Sequence, residues 1–310
     1  MKRRILITGG TGLLALNWAY AIEDQFEIYL SLHERRITLP NFNFIDINVE
    51  RIESIIEVLV KLKPEIVINT IAVTSIEKCE SNEMLAWHTN VFLAHNIAKA
   101  CLIVGVKLVH ISTDHLFNGN VALSDEERAT SPVNVYGRTK AEAEEIVLHV
   151  DPSALIIRTN FFGWAPPYRK SLSDFIVHSL RSKKKVFLFQ DVYFTPIIIA
   201  ELVRVTHELV KLGRNGIYNV IGTERLTKYQ FGITLAKVFN LSENLVLPCT
   251  LVSQKHLRKR PSDMSLSNEL VSRLIDEPVL SLTMQLNLLL QQEESIVSRF
   301  RKISILYPLP

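Results

Sequence analysis

Few cysteines, little net charge and no long apolar run set the first bounds on this chain of 310 residues. Its three cysteines, Cys79, Cys101 and Cys249, lie far apart and form no Cys-x-x-Cys pair. Neither a disulfide framework nor a zinc site is suggested, and a reducing compartment fits. The formal net charge of +3 is too small to imply nucleic acid. No stretch approaches the roughly 20 apolar residues that a membrane-spanning helix needs. The apolar run after Met-Lys-Arg-Arg is broken at once by Thr8-Gly-Gly-Thr-Gly12, so it reads as a buried strand rather than an export signal. There is no internal repeat and no low-complexity linker. What remains, 47% hydrophobic and 22% charged residues, is the composition of a globular protein with one large or two modest domains. We expect a cytoplasmic location, no metal, and neither membrane nor nucleic acid as partner.

Short β-rich runs alternate with helical patterns through the first half, which predicts a doubly wound parallel sheet covered on both faces. Strands are expected at Arg4–Ile7, Phe26–Leu30, Phe42–Ile45, Ile66–Asn69, Val106–Ile111 and Leu155–Arg158. Helices are expected at Ile52–Lys63, from Met84 to Gly105, and after Tyr136. Beyond Thr159 the regularity loosens: helix Leu172–Ser182, strand Val186–Phe189, an amphipathic helix Ile197–Leu212 and the apolar run Ile217–Ile221. This predicts a dinucleotide-binding domain over 1–160 with a return to the main sheet over 186–221. A smaller, mainly helical lobe takes 161–185 and 222–290, and 291–310 is a tail. An amphipathic helix around Thr283–Arg301 either covers the sheet or mediates self-association, so a homodimer stays open. Trp87 and His88 read as packing residues, and His110, inside a strand, as a satisfied core histidine.

Thr8-Gly9-Gly10-Thr11-Gly12-Leu13-Leu14-Ala15 follows the first strand and opens a helix. Glycines there allow positive φ and close backbone approach, while the helix start offers unpaired N–H groups to a diphosphate. This places Gly9, Gly12, Leu13 and Leu14 at a dinucleotide. Where an acidic residue at the end of the second strand would hold an NAD ribose, this chain has Ser31-Leu-His-Glu-Arg35-Arg36. Arg35 and Arg36 suit a 2′-phosphate, so NADP(H) is preferred with NAD(H) open; Glu34 argues the other way. Asp46 and Ile47, just after the third strand, could hold the adenine edge. Ser112-Thr113-Asp114 closes the fifth strand and puts the Thr113 hydroxyl at the carboxyl end of the sheet, where such folds bind ligands. Tyr136 and Lys140 sit four apart on a helix start, one above the other on one face, so an ammonium would face a phenol and favour its phenolate.

Together these stretches resemble the extended short-chain dehydrogenase/reductases, most closely the dTDP-4-dehydrorhamnose reductase family. The resemblance rests on Pro64–Asn69, Thr74–Glu80, His110–Phe117, Thr130–Lys140, Ile157–Thr159 and the late run Arg260-Pro-Ser-Asp-Met-Ser-Leu-Ser-Asn268. It implies an oxidoreductase that uses NADPH to reduce a 4-keto-6-deoxy nucleotide sugar in deoxysugar and polysaccharide biosynthesis. It also implies a catalytic trio of Thr113, Tyr136 and Lys140. Tyr136 would protonate the alkoxide, and Lys140 would contact the nicotinamide ribose and hold the phenol's pKa down. Ile71 and Ala72 would join the cofactor set, and Thr74, Thr113, Asn160 and Arg260 the substrate set. Arg260 would clamp the diphosphate, with Lys255, Arg258 and Lys259 nearby. The chain departs from the family pattern at Asn69-Thr-Ile-Ala72, Val73, His115 and Thr159-Asn-Phe161, positions around the nicotinamide and the sugar. Two alternatives stay open. One is another sugar-nucleotide epimerase or reductase of the superfamily. The other is a non-catalytic NADP-binding regulatory subunit like that of methionine adenosyltransferase.

Overall fold

A computed structural model describes residues 2–33, 35–254 and 257–306. Among these, seven strands form one parallel sheet: β1 (Arg3–Thr8), β2 (Phe26–Leu32), β3 (Asn43–Asp46), β4 (Ile66–Asn69), β5 (Lys107–Ile111), β6 (Leu155–Arg158) and β7 (Gly216–Asn219). Their order is β7-β6-β5-β4-β1-β2-β3. The chain begins mid-sheet, winds outward to β3, and returns to the other side of β1 through β4. The order therefore reverses beside β1, the place where α/β sheets open a crevice at their carboxyl ends.

Strand side chains alternate between two buried faces. Ile5, Ile7, Ile68, Val109 and Ile157 join one core cluster, and Leu6, Val67, Leu108 and Ile156 the other. Burial on both sides explains runs that are apolar throughout rather than alternating. Helices α1 (Leu13–Ile22), α2 (Ile52–Leu62), α3 (Leu93–Val104) and α4 (Val135–Val150) belong to this winding, followed by α5 (Leu172–Arg181), α6 (Ile199–Lys211), α7 (Lys228–Val238) and α8 (Leu282–Phe300). Residues of α2, α3 and α4 fill the second cluster, and those of α1 and α6 the first. α2 ends at Lys63, whose left-handed conformation (φ 50°) lets its N–H reach the Leu59 carbonyl. α3 ends likewise at Gly105 (φ 75°), a position glycine fills without strain.

Four expectations are corrected. The helix read over Met84–Gly105 runs unbroken from Glu83 to Val104 with a π-helical turn, His88–Phe92, inside it, and a short helix Ile76–Ser81 precedes it. Asn82 starts the longer helix by accepting from the Leu85 N–H, and Trp87 is 43% exposed rather than packed. The helix read from Ile197 begins two residues later, because Ile197–Ile198 pair with Phe161–Phe162. Of the return segment 186–221, β7 joins the main sheet, whereas Val186–Phe189 pair with Val246–Cys249 in a separate two-stranded sheet. Within the tail read over 291–310, α8 continues to Phe300, as the helix read around Thr283–Arg301 expects, and a strand follows. α8 buries Leu282, Leu286 and Leu289, and Ser304–Leu306 then pair antiparallel with Arg36–Thr38.

Candidate functional site

Thr8, Asn69 and His110 are register neighbours at the carboxyl ends of β1, β4 and β5. Above them the glycine turn leaves β1. Gly9 has φ +71°, and a Cβ there would lie 2.8 Å from the Thr70 hydroxyl. The Gly9 N–H donates to the Ser31 hydroxyl at 3.0 Å, and the Gly12 N–H returns to the Gly9 carbonyl at 2.8 Å. α1 starts on Gly12 with no side-chain cap and no acidic residue in its first turn. Its first N–H groups, those of Leu13 and Leu14 included, have no partner within the helix. The Leu14 side chain is buried in the core, so what it offers a ligand is backbone. An uncapped helix start free of carboxylates suits a diphosphate. The residues present therefore fit a dinucleotide.

Beside this turn the two arginines behave differently. The Arg35 guanidinium stacks 4.2 Å over the Tyr168 ring, and the Tyr168 hydroxyl donates to the Thr11 carbonyl at 3.2 Å. Arg35 is thus held near the turn by an aromatic residue that the sequence reading passed over. Arg36 pairs with both oxygens of Asp46 at 2.7 and 3.1 Å. The residues expected to hold separate parts of a dinucleotide hold each other, and Ile47 is buried in the core. Glu34 lies outside the described residues.

The second half of the site hangs on α4. Asn134 caps it, accepting from the Gly137 N–H at 2.8 Å. A Cβ at Gly137 would overlap the His115 carbonyl oxygen, so glycine lets the helix close on the loop leaving β5. Tyr136 is thereby brought beside Thr113, and the His115 ring meets the phenol edge-on at 5.5 Å. Burial raises the phenol's pKa, the Thr113 hydrogen bond opposes this, and Asp114 and Cys79 add to it. Tyr136 is therefore protonated at neutral pH. The loop across the site is pinned from the π-helical turn. Buried Asn90 accepts from the Val73 N–H at 2.8 Å and donates to the Thr139 hydroxyl at 2.9 Å. On this loop the Ile71 N–H donates to the Asn69 oxygen at 3.2 Å, and Ala72 is half-buried.

Lys140 corrects an expectation. Its Nζ donates to the Ile111 carbonyl at 2.7 Å and lies 3.2 Å from His110 Nε2. Burial lowers its pKa to about 8, with Glu144 opposing. The phenol's pKa is raised rather than held down, because desolvation outweighs any neighbouring charge. Glu144 itself is gripped by Arg158 at 2.7 and 3.1 Å, both side chains 3% exposed, and by the Ser112 hydroxyl.

A cleft of about 320 Å³ is lined among others by Thr74, Glu77, His115, Lys228 and Arg260. Thr74 and Arg260, both read as substrate residues, thus share one cleft. Asn160 instead spends its amide on Asp114 at 2.5 Å. Arg260 pairs with Glu77 across the cleft; Arg258 and Lys259 are exposed, and Lys255 lies outside the described residues. Lys228 was missed in the sequence; it follows Thr227, which starts α7 in a capping box with Gln230. Its Nζ lies 3.2 Å from the Phe194 ring centroid, and burial lowers its pKa to about 8 against the pull of Asp114. His115 is kept neutral by burial, and its Nδ1 has no partner.

Comparison with known proteins agrees with this architecture. The family model described as RmlD substrate binding domain matches residues 3–295. A probable low-salt glycan biosynthesis reductase of Haloferax volcanii is 26% identical over 268 residues, 84% of this chain and 89% of that one. Methionine adenosyltransferase 2 subunit beta of Xenopus tropicalis is 27% identical over 256 residues, 80% of this chain and 75% of its own length. A crystal structure of dTDP-4-dehydrorhamnose reductase from Bacillus anthracis in complex with NADP superposes with a TM-score of 0.83 at 23% identity, covering 94% of this chain and all of that one.

Proposed function

We propose, from the premise that this chain belongs to the RmlD substrate binding domain family, that it reduces a 4-keto-6-deoxy nucleotide sugar with NADPH. The observation that carries this reading is the protonated phenol of Tyr136 beside Thr113, next to His115 on a cleft that also presents Lys228 and Arg260. NADPH, when bound, supplies the hydride. The chain's own groups do the rest. The uncapped start of α1 and its glycines take the diphosphate of the cofactor, and Arg35 on Tyr168 its 2′-phosphate. Thr113 orients the substrate carbonyl, and Tyr136 gives its phenolic proton to the oxygen that becomes the alcohol. Arg260, released from Glu77, and Lys228 meet the substrate's diphosphate.

The relative known as methionine adenosyltransferase 2 subunit beta favours a second reading, a subunit that holds the cofactor without turnover. A panel of dTDP-, UDP- and GDP-linked 4-keto-6-deoxy sugars, followed at the nicotinamide absorbance band, separates the two. The reductase reading expects NADPH consumption with at least one sugar. It also expects a larger thermal shift from NADPH than from NADH at equal concentration. Silence across the panel together with a clear NADPH shift would favour the subunit reading, and equal shifts would remove the role given to Arg35.

A further inference from the structure

The grip on a 2′-phosphate depends on one short stretch of backbone. Arg35 stacks 4.2 Å over Tyr168 beside the glycine turn, and Arg36, next in the chain, is pinned to Asp46 at the end of β3. Arg36 also opens the strand Arg36–Thr38, three residues long and outside the seven-stranded sheet. A strand so short has little stability of its own. Among the described residues its strand partner is Ser304–Leu306, with Leu306 opposite Arg36, Ile305 opposite Ile37 and Ser304 opposite Thr38. Packing at the end of α8 delivers that partner. Phe300, 2% exposed, meets the Tyr20 ring of α1 at 5.6 Å, and Tyr20 meets Phe42, just before β3, at 5.0 Å. Arg299 pairs with Glu23 at the end of α1. Beyond this anchor the hold changes. Ile305 is 52% and Leu306 45% exposed, whereas Ile37 is fully buried, so backbone pairing more than burial keeps Ser304–Leu306 in place.

We infer that Ser304–Leu306 is a specificity element for the cofactor: its pairing with Arg36–Thr38 fixes the backbone at Arg36, and with it the place of Arg35, so that preference for NADPH over NADH depends on this distant strand. The inference rests on the role given above to Arg35. An arginine on an unsecured loop has to be ordered by the phosphate it binds, and that ordering subtracts from affinity. Strand pairing on one side and Asp46 on the other order the loop beforehand. NADH carries no 2′-phosphate, makes no use of Arg35 and gains nothing from the pairing. The coupling is therefore selective for the phosphate. It is also reciprocal, because NADPH must stabilise the paired strand by as much as the paired strand strengthens NADPH binding.

Two variants test this. One chain ends after Ile303; the other is Ile305→Pro at full length, since proline disfavours a paired strand. The proline variant changes neither length nor charge, and it serves if the shortened chain does not fold. Dissociation constants for NADPH and for NADH are measured by titration calorimetry without sugar. The parent protein is expected to bind NADPH more tightly. In both variants that preference is expected to shrink by about fivefold or more through weaker NADPH binding, with the NADH constant within about twofold of the parent's. In the parent, NADPH and not NADH is expected to slow hydrogen exchange at the amides of Arg36 to Thr38. An unchanged preference in the proline variant, an equal loss of affinity for both cofactors, or equal slowing of exchange by both would overturn the inference and leave the reductase reading standing. A parent that binds the two cofactors equally would remove the role of Arg35, and the specificity element with it. No turnover is measured, so these outcomes are independent of whether the sugar panel succeeds.

Discussion

A phenol buried beside a threonine keeps its proton, and a proton donor must have one to give. Tyr136 is 8% exposed, and desolvation is the largest influence on it. Its neutral form is what a ketone reduction consumes. Tyr136→Phe keeps the ring's packing against His115 and removes only the hydroxyl. Turnover is expected to fall by about 10²- to 10⁴-fold, the usual worth of a positioned general acid, with the NADPH thermal shift unchanged. A variant that still consumed NADPH at the parental rate would remove Tyr136 from the chemistry. The four-residue spacing of Tyr136 and Lys140 made their common face legible in the sequence. What it hid was the partner of Lys140. An amine one turn along the helix looks toward the phenol when only the helix is considered, yet its hydrogen-bond contacts are on β5. His110, readable only as a satisfied core histidine, is one of them.

At the scale of elements, α4 matters because it stands so close to the loop after β5. Gly137 sets that distance, since any Cβ there meets the His115 carbonyl. Gly137→Ala gains helix propensity of about 1 kcal/mol but must push backbone aside, a cost of roughly 1–3 kcal/mol in a packed site. Clash is expected to win, lowering the melting temperature and, by moving Tyr136 off Thr113, reducing turnover by more than the lost stability explains. Unchanged turnover at a lower melting temperature would show that the helix start can shift without disturbing the pair. The strands were legible because parallel strands buried on both faces are continuous apolar runs. The π-helical turn before α3 was not. Periodicity registers Met84 to Gly105 as one helix, whereas Asn82 capping its start and Asn90 on the π-helical turn inside it are set by contacts to Leu85, Val73 and Thr139. Val186–Phe189 has strand chemistry in either location, and only its partner, Val246–Cys249, decides which sheet it joins.

At the scale of the whole molecule, Arg260 pairs with Glu77 across the cleft. The pair competes with any anion that Arg260 is to bind. Glu77→Gln is expected to lower KM for a diphosphate-bearing substrate several-fold and leave kcat unchanged; a raised KM would mean that Glu77 positions Arg260 rather than occupying it. The buried titratable groups also give the fold a characteristic response to pH. His207, accepting from the Trp18 indole N–H at 3.1 Å, is lowered from 6.5 to about 4 by burial, and His110 and His115 are lowered too. Between the unfolded and folded values the unfolded chain binds more protons, so stability falls as pH drops from 6.5 toward 4, by up to roughly 3 kcal/mol for His207 alone. Lys140 and Lys228, lowered from 10.5 to about 8, act in the same sense at higher pH. The unfolded chain again binds more protons between 8 and 10.5, so stability rises across that window. Tyr136 and Tyr20, raised above 10 by burial, reverse the slope, because above 10 the folded chain keeps protons that the unfolded one loses. Urea midpoints measured from pH 4 to pH 11 should therefore climb through neutrality to a maximum at roughly pH 9–10 and then decline. A maximum near pH 6, or no rise between pH 8 and 9, would mean that the pKa values of the two lysines are not lowered in the folded protein.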